Sequence, residues 1–182
     1  MRKSLLLLHY SLFTAVVHAL TTLTTTSTIR GISVRELQDY LATPTHWPTI
    51  VASSVGVESF SSLSGKKKKS NPVDRPQRVG DQVREVFGLP PVIPLSVVWT
   101  CRQNKYGSLE FVAPEGLVNV ATNCRMAFAF RQDDTTDDTT TVVDLTVEYE
   151  PVSFLAILAM PVLSLDNELA LKGLLPLALS RR

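Results

Sequence analysis

Val142-Val143-Asp144-Leu145-Thr146-Val147-Glu148-Tyr149-Glu150-Pro151-Val152-Ser153-Phe154-Leu155 contains the change of period that decides the fold. Over residues 142–150, Val143, Leu145, Val147 and Tyr149 alternate with Asp144, Thr146, Glu148 and Glu150. Side chains of a strand switch faces at every residue, so this stretch is a strand with one face on a core and the other in water. Beyond Pro151 the alternation stops. Phe154, Leu155, Ile157, Leu158, Val162, Leu163, Leu165, Leu169, Leu171, Leu174, Leu175 and Leu177 follow at dense helical spacing. A half-wet strand running into a long oily helix implies a sheet covered by that helix. Pro161 lacks an N–H and its ring clashes with the preceding turn, so a kink or restart is expected there. Asp166-Asn167-Glu168 interrupts the apolar run well short of a bilayer thickness, which excludes a membrane span in this segment.

Upstream, the same alternation recurs. Residues 118–131 put Val120, Thr122, Cys124, Met126, Phe128 and Phe130 on one face and Asn123, Arg125 and Arg131 on the other. Residues 108–113 set Leu109, Phe111 and Ala113 inward, and residues 95–102 set Val97, Trp99 and Cys101 opposite Val98, Thr100 and Arg102. Residues 78–87 set Val79, Val83 and Phe87 against Arg78, Gln82 and Arg84, and Ile50 to Phe60 reads as a further extended stretch. These are six antiparallel strands, and Thr21 to Ile29, rich in the β-former Thr, supplies a seventh. Between the first two, Ser33 and Glu36 have capping-box spacing, and Val34, Leu37 and Leu41 form a helical apolar face that stops before Pro44. The expected class is α+β: a seven-stranded antiparallel sheet around a long C-terminal helix. The Lys66–Lys69 and Asp133–Asp138 stretches read as solvated loops, the lysines with an alternative role on anionic lipid.

Composition narrows the function classes. The chain has 182 residues, a formal net charge of +1, 19% charged and 45% hydrophobic residues, which suits one domain and argues against both disorder and a basic nucleic-acid-binding surface. Two cysteines make no disulfide scaffold, and Cys101 and Cys124 fall on strands separated by another, which favours free buried thiols. No histidine cluster, Gly-rich phosphate loop or nucleophile elbow occurs, so no metal or cofactor is expected. Residues 1–20 combine Arg2 and Lys3, the run Leu5–Leu8 and the small-residue site Val17-His18-Ala19, the pattern of a signal or targeting peptide. The hydroxyl-rich, acid-free stretch that follows also suits an organelle transit peptide, so the secretory pathway or extracellular space and a plastid both remain open as destinations. The working domain is then residues 21–180.

The order strand, helix, Trp-Pro break, six strands and long helix resembles the START/polyketide-cyclase-like (SRPBCC) superfamily. Several segments resemble its plant and algal branch: Trp47-Pro48 with Ile50-Val51-Ala52-Ser53-Ser54, Arg78-Val79-Gly80-Asp81, Phe87-Gly88-Leu89-Pro90-Pro91, and Pro94-Leu95-Ser96-Val97 with Trp99-Thr100-Cys101. Asn123-Cys124, Tyr149-Glu150-Pro151-Val152-Ser153 and the tail Asp166-Asn167, Leu169-Ala170-Leu171-Lys172, Leu174-Leu175-Pro176 continue it. The resemblance implies the helix-grip fold, with a pocket between the concave sheet and the long helix. It leaves open whether the chain carries lipids, isoprenoids, quinones or pigments or acts as a cyclase or dehydratase, because fold does not choose among these functions.

If that pocket exists, the inward faces line it: Trp99, Phe111, Met126, Phe128, Phe130, Leu145, Tyr149, Phe154 and Leu158, each with the alternative of packing on its neighbours. The anomaly is that Asp81 and Glu85 share the apolar phase of strand 78–87. An inward carboxylate is costly unless paired or hydrogen-bonded, and burial raises its pKa, the profile of a ligand-orienting or acid/base group. A twist turning the pair outward, a wet position at the mouth, or a structural hydrogen bond to Trp99 are the competing readings. The expected partner is therefore a hydrophobic small molecule bound by a monomer, with no nucleic acid and at most transient contact with a membrane surface.

Overall fold

The computed structural model describes residues 19–60, 72–89, 93–133 and 139–181, excluding the side chains of Leu89, Ile93, Pro94, Leu155, Leu158 and Ala159. Residues 1–18 and the Lys66–Lys69 stretch lie outside the described residues, as does all of the Asp133–Asp138 stretch except Asp133.

Seven strands form one antiparallel sheet: β1 (Thr21–Arg30), β2 (Ser54–Ser59), β3 (Gln82–Leu89), β4 (Ile93–Lys105), β5 (Ser108–Ala113), β6 (Ala121–Gln132) and β7 (Thr140–Pro151). Their order is β1-β7-β6-β5-β4-β3-β2, so β2 to β7 form a meander and β1 closes onto β7 from the other end of the chain. The Thr-rich first strand pairs along its whole length, from Thr21 opposite Tyr149 to Arg30 opposite Thr140. The outer face is wet, and opposite charges cross it: Arg125 reaches Glu110 at 3.2 Å and Glu148 at 2.9 Å, one ion pair across each neighbouring strand.

Helix α1 (Val34–Leu41) and the short helix α2 (Trp47–Ile50) connect the two edges of the sheet. The capping box forms as its spacing implies. Ser33 Oγ accepts from the Glu36 N–H at 3.3 Å, and the Ser33 N–H donates to Glu36 Oε2 at 3.1 Å. Gln38, fully buried on α1, ties that helix to the β4–β5 hairpin. Its Nε2 donates to Asn104 Oδ1 at 2.6 Å and its Oε1 accepts from the Gly107 N–H at 3.0 Å. A buried amide satisfied on both ends costs little and fixes a single docking register.

The cover is α3 (Phe154–Leu169), a wider π-wound turn (Ala170–Leu174) and α4 (Leu175–Leu179). The helix does not restart at Pro161 but runs on through it, and its change of winding comes at Ala170–Leu174. Phe154, Val162, Leu165, Leu169 and Leu177 are exposed. Twelve apolar residues at helical spacing exceed the one stripe that a sheet can cover, so the surplus faces outward. Among the described residues no helix is long and apolar enough to cross a membrane.

Two irregularities shift the expected phases. In β6 the register slips between Thr122 and Arg125, where Asn123 adopts φ 50°, a bulge that inserts one residue. Inward positions are therefore Ala121 before the bulge and Cys124, Met126 and Phe128 after it, while Thr122 pairs with Glu150 and leaves the inner face. Just upstream, Gly116 sits at φ +60°, and a Cβ there would lie 2.1 Å from the Ala121 carbonyl oxygen. Gly116→Ala is expected to destabilise the domain by about 2 kcal/mol, read as a lowered urea midpoint. Near β3, Gly80 at φ +90° turns the chain before the strand begins at Gln82. The alternation read from residue 78 is thus broken, and Val79 is exposed.

Candidate functional site

A cavity of about 150 Å³ lies between the inner face of the sheet and α3. The sheet contributes Phe87, Trp99, Met126, Phe128, Leu145 and Tyr149, the α2 region Trp47 and Ile50, and the cover Ala156, Leu163 and Leu171. Two wider crevices, of about 600 and 420 Å³, open on the surface beside the end of the cover and contain no buried acid.

The expected site residues divide into three groups. Glu85, Trp99, Met126, Phe128, Leu145 and Tyr149 are brought together on the cavity wall. Phe111, Phe130, Phe154 and Asp81 are not. Phe111 is fully buried behind the wall, with its ring edge-on to Trp47 at 5.2 Å, and Phe130 stacks on Phe128 at 6.2 Å. Neither lines the cavity, although Phe111 lies opposite Met126, which does. Phe154 is 51% exposed at the start of α3. Asp81 precedes β3, accepts from the Arg78 N–H at 2.8 Å and pairs with Arg75 at 3.0 Å, so it caps a turn. The third group is Leu158, which lies outside the described side chains.

Glu85 faces inward from the middle of β3, paired with Val57 on β2 and Val97 on β4. It is 3% exposed, and Trp99 Nε1 donates to its Oε2 at 2.8 Å. Burial pushes its pKa up to about 7; the Trp99 bond and the nearby Ser54 hydroxyl pull it back, and the charge of Asp166 adds a smaller upward push. The hydrogen bond to Trp99 thus coexists with a carboxyl whose proton is poised near neutrality. Ser54 Oγ and Tyr149 Oη are both buried, the first beside Glu85 and the second on the residue opposite Thr21 of β1.

Asp166 is the site residue that the sequence pattern did not single out. From α3 its Oδ1 accepts from the Ala52 N–H at 3.0 Å and its Oδ2 from Ser53 Oγ at 2.5 Å. These bonds latch the cover to the α2–β2 connection. Ser53, Asp166 and Asn167 line the cavity together with Glu85, so polar groups converge where β3, the connection and α3 meet. The available signal was the Asp166-Asn167 pair itself, a polar break inside an apolar helix.

The thiols behave as structural residues. Cys101 and Cys124 are both free and buried, and burial pushes each up to about 11, far above the range of a reactive thiolate. Trp47, the turn anchor, donates from Nε1 to the Leu41 carbonyl at 2.8 Å. His46 stacks on Tyr40 with ring centroids 4.1 Å apart.

No family model and no curated protein sequence matches the chain. Solved structures match strongly. The Zhui aromatase/cyclase from Streptomyces sp. R1128 aligns over 90% of this chain and 96% of its own at TM-score 0.66 and 12% identity. A START superfamily protein from Mycobacterium smegmatis aligns over 81% and 96% at TM-score 0.54 and 11% identity. Major latex-like protein 151 from Panax ginseng aligns over 82% and 95% at TM-score 0.51 and 16% identity. At such identities the likeness speaks for architecture alone, and that architecture, a curled seven-stranded antiparallel sheet gripping a C-terminal helix, is the START-like helix-grip fold.

Proposed function

We propose that the chain binds and carries a hydrophobic small molecule in the cavity between its sheet and α3. The observation behind this reading is an apolar, aromatic-walled cavity with one buried carboxyl at its polar end, the usual design of a small-molecule site. Burial of apolar surface, on the order of 25 cal/mol per Å², would supply the affinity, and Glu85 the orientation. At about 150 Å³ the cavity is smaller than the roughly 300–1,000 Å³ of most ligand pockets. A lipid, isoprenoid or quinone therefore requires the α3 cover to move outward, against the Asp166 latch. Solvent extraction of the purified protein followed by mass spectrometry is expected to release an apolar compound; an empty extract, with no exchange of added apolar ligands, overturns the proposal. Leu163→Trp, which fills the cavity from the cover, is expected to weaken binding at least ~10-fold with the fold retained by circular dichroism.

A second reading, a cyclase or dehydratase, is favoured by one observation: Glu85 is pushed to about 7, where a carboxyl can both donate and accept a proton. Recovery of the ligand chemically unchanged after prolonged incubation decides for carriage, and recovery short of one water decides for the enzyme.

Three further proposals come from the sequence. The plant and algal affiliation rests on the quoted segments, and targeting to the secretory pathway or a plastid on residues 1–20, checked by sequencing the mature N-terminus. The exposed Val162, Leu165 and Leu169 of α3 support transient contact of a monomer with a membrane surface. Liposome flotation unchanged by Leu165→Ser would remove them from that role.

A further inference from the structure

We infer that the polar end of the cavity receives the nitrogen of a protonated amine, so that the ligand is a single-ring-sized apolar amine and not a carboxylate or phosphate. This rests on the ligand-binding reading above and narrows it.

Charge is the first argument. Among the described residues, two carboxyls, Glu85 and Asp166, line the cavity, and no Lys, Arg or His does. An anionic ligand would meet like charge in a poorly hydrated space and find no counter-ion, whereas an ammonium would supply the one that the buried Glu85 lacks. Hydrogen-bonding capacity is the second. Trp99 donates to one Glu85 oxygen, and the Ser54 hydroxyl, 5% exposed, lies beside the same carboxyl. Asp166 is already engaged by Ala52 and Ser53, so its charge remains while its position is fixed. The end of the cavity thus offers the Glu85 carboxyl next to an immobilised second carboxylate, the complement of an N–H-rich cation. The walls agree: Trp47, Trp99, Phe87, Phe128 and Tyr149 line the space, and a cation can settle against their π-electrons. Size completes the argument. A cavity of about 150 Å³ is the volume that holds one benzene-sized ring.

The binding step balances as a proton exchange. The empty cavity below about pH 7 holds Glu85 protonated; the ammonium enters as a cation, and the carboxyl releases its proton to solvent. The titratable groups bordering Glu85 in the cavity are Asp166 from α3 and, further round the wall, Cys124 from β6 and Tyr149 from β7.

Isothermal titration with phenethylamine, phenethyl alcohol and phenylacetate tests this on the full chain. The amine is expected to bind at least ~10-fold tighter than the alcohol and ~100-fold tighter than the acid. At pH 6, two buffers of different ionisation enthalpy should reveal proton release for the amine and none for the alcohol. Glu85→Gln, with Asp166→Asn as a second variant should the first fail to fold, is expected to bring amine and alcohol within ~3-fold of each other. Phenylacetate binding as tightly as the amine, or a preference untouched by either variant, overturns the inference. Binding of the alcohol without the amine overturns it while leaving the ligand-binding reading intact; binding of none of the three overturns both.

Discussion

Phe111→Ala is expected to remove about 3–5 kcal/mol of stability. Phe111 is fully buried on β5, and its ring meets Trp47 edge-on at 5.2 Å. Trp47 is in turn held by its Nε1 bond to the Leu41 carbonyl, at the joint where α1 and α2 sit on the sheet. The surroundings cannot collapse into the space left by the ring, because one wall is a hydrogen-bonded indole and the other a strand paired on both sides by β4 and β6. The expected readout is a lower urea midpoint at unchanged slope, with a melting temperature lower by roughly 10 °C for a domain of this size. Ligand occupancy measured well below that temperature should persist, since Phe111 lies behind the cavity wall. A loss below about 1 kcal/mol would mean that the site relaxes and that Trp47 is not braced as the geometry implies.

Phe111 also marks the limit of what periodicity can convey. Alternation identified its strand to the residue, Ser108–Ala113, and put it on the inner face. Period two says only which face a side chain takes; whether that position borders a cavity or closed core depends on where the helix crosses the sheet. The same holds for Phe130, whereas Met126 and Phe128, earlier on the same strand, do border the cavity. β7 and the capping box were legible because local rules fix them. Val79 and Thr122 were assigned to the inner face because single residues with positive φ, Gly80 and Asn123, reset the phase, and no count of apolar residues registers a turn or a bulge. Asp166 needed tertiary information of another kind, since its partners Ala52 and Ser53 lie more than a hundred residues away. Glu85 was legible for the opposite reason: a carboxyl in an apolar phase violates the local rule, and such violations mark sites where function or a specific partner outweighs stability.

That violation has a measurable cost. The wild-type protein is expected to lose about 3 kcal/mol of stability between pH 4.5 and 7, and Glu85→Gln to lose little of it. The folded-state pKa of Glu85 is raised to about 7 from an ordinary 4.5, so between these values the folded protein keeps a proton that the unfolded chain has released. Stability from this group is therefore complete below about pH 4.5, declines as pH rises, and levels off above about pH 7, opposite to the usual behaviour of a salt-bridged carboxylate. Gln cannot titrate, and its amide oxygen can still accept from Trp99 Nε1, so the variant removes the charge while retaining the hydrogen bond. Urea unfolding at pH 5 and pH 8 is the measurement: the two proteins should be similar at the lower pH, and the variant should be the more stable at the higher. Equal slopes would assign the titration elsewhere. The carboxyl is thus held at a position where an uncharged isostere would stabilise the empty protein at neutral pH, a gradient that the cationic ligand proposed above would offset.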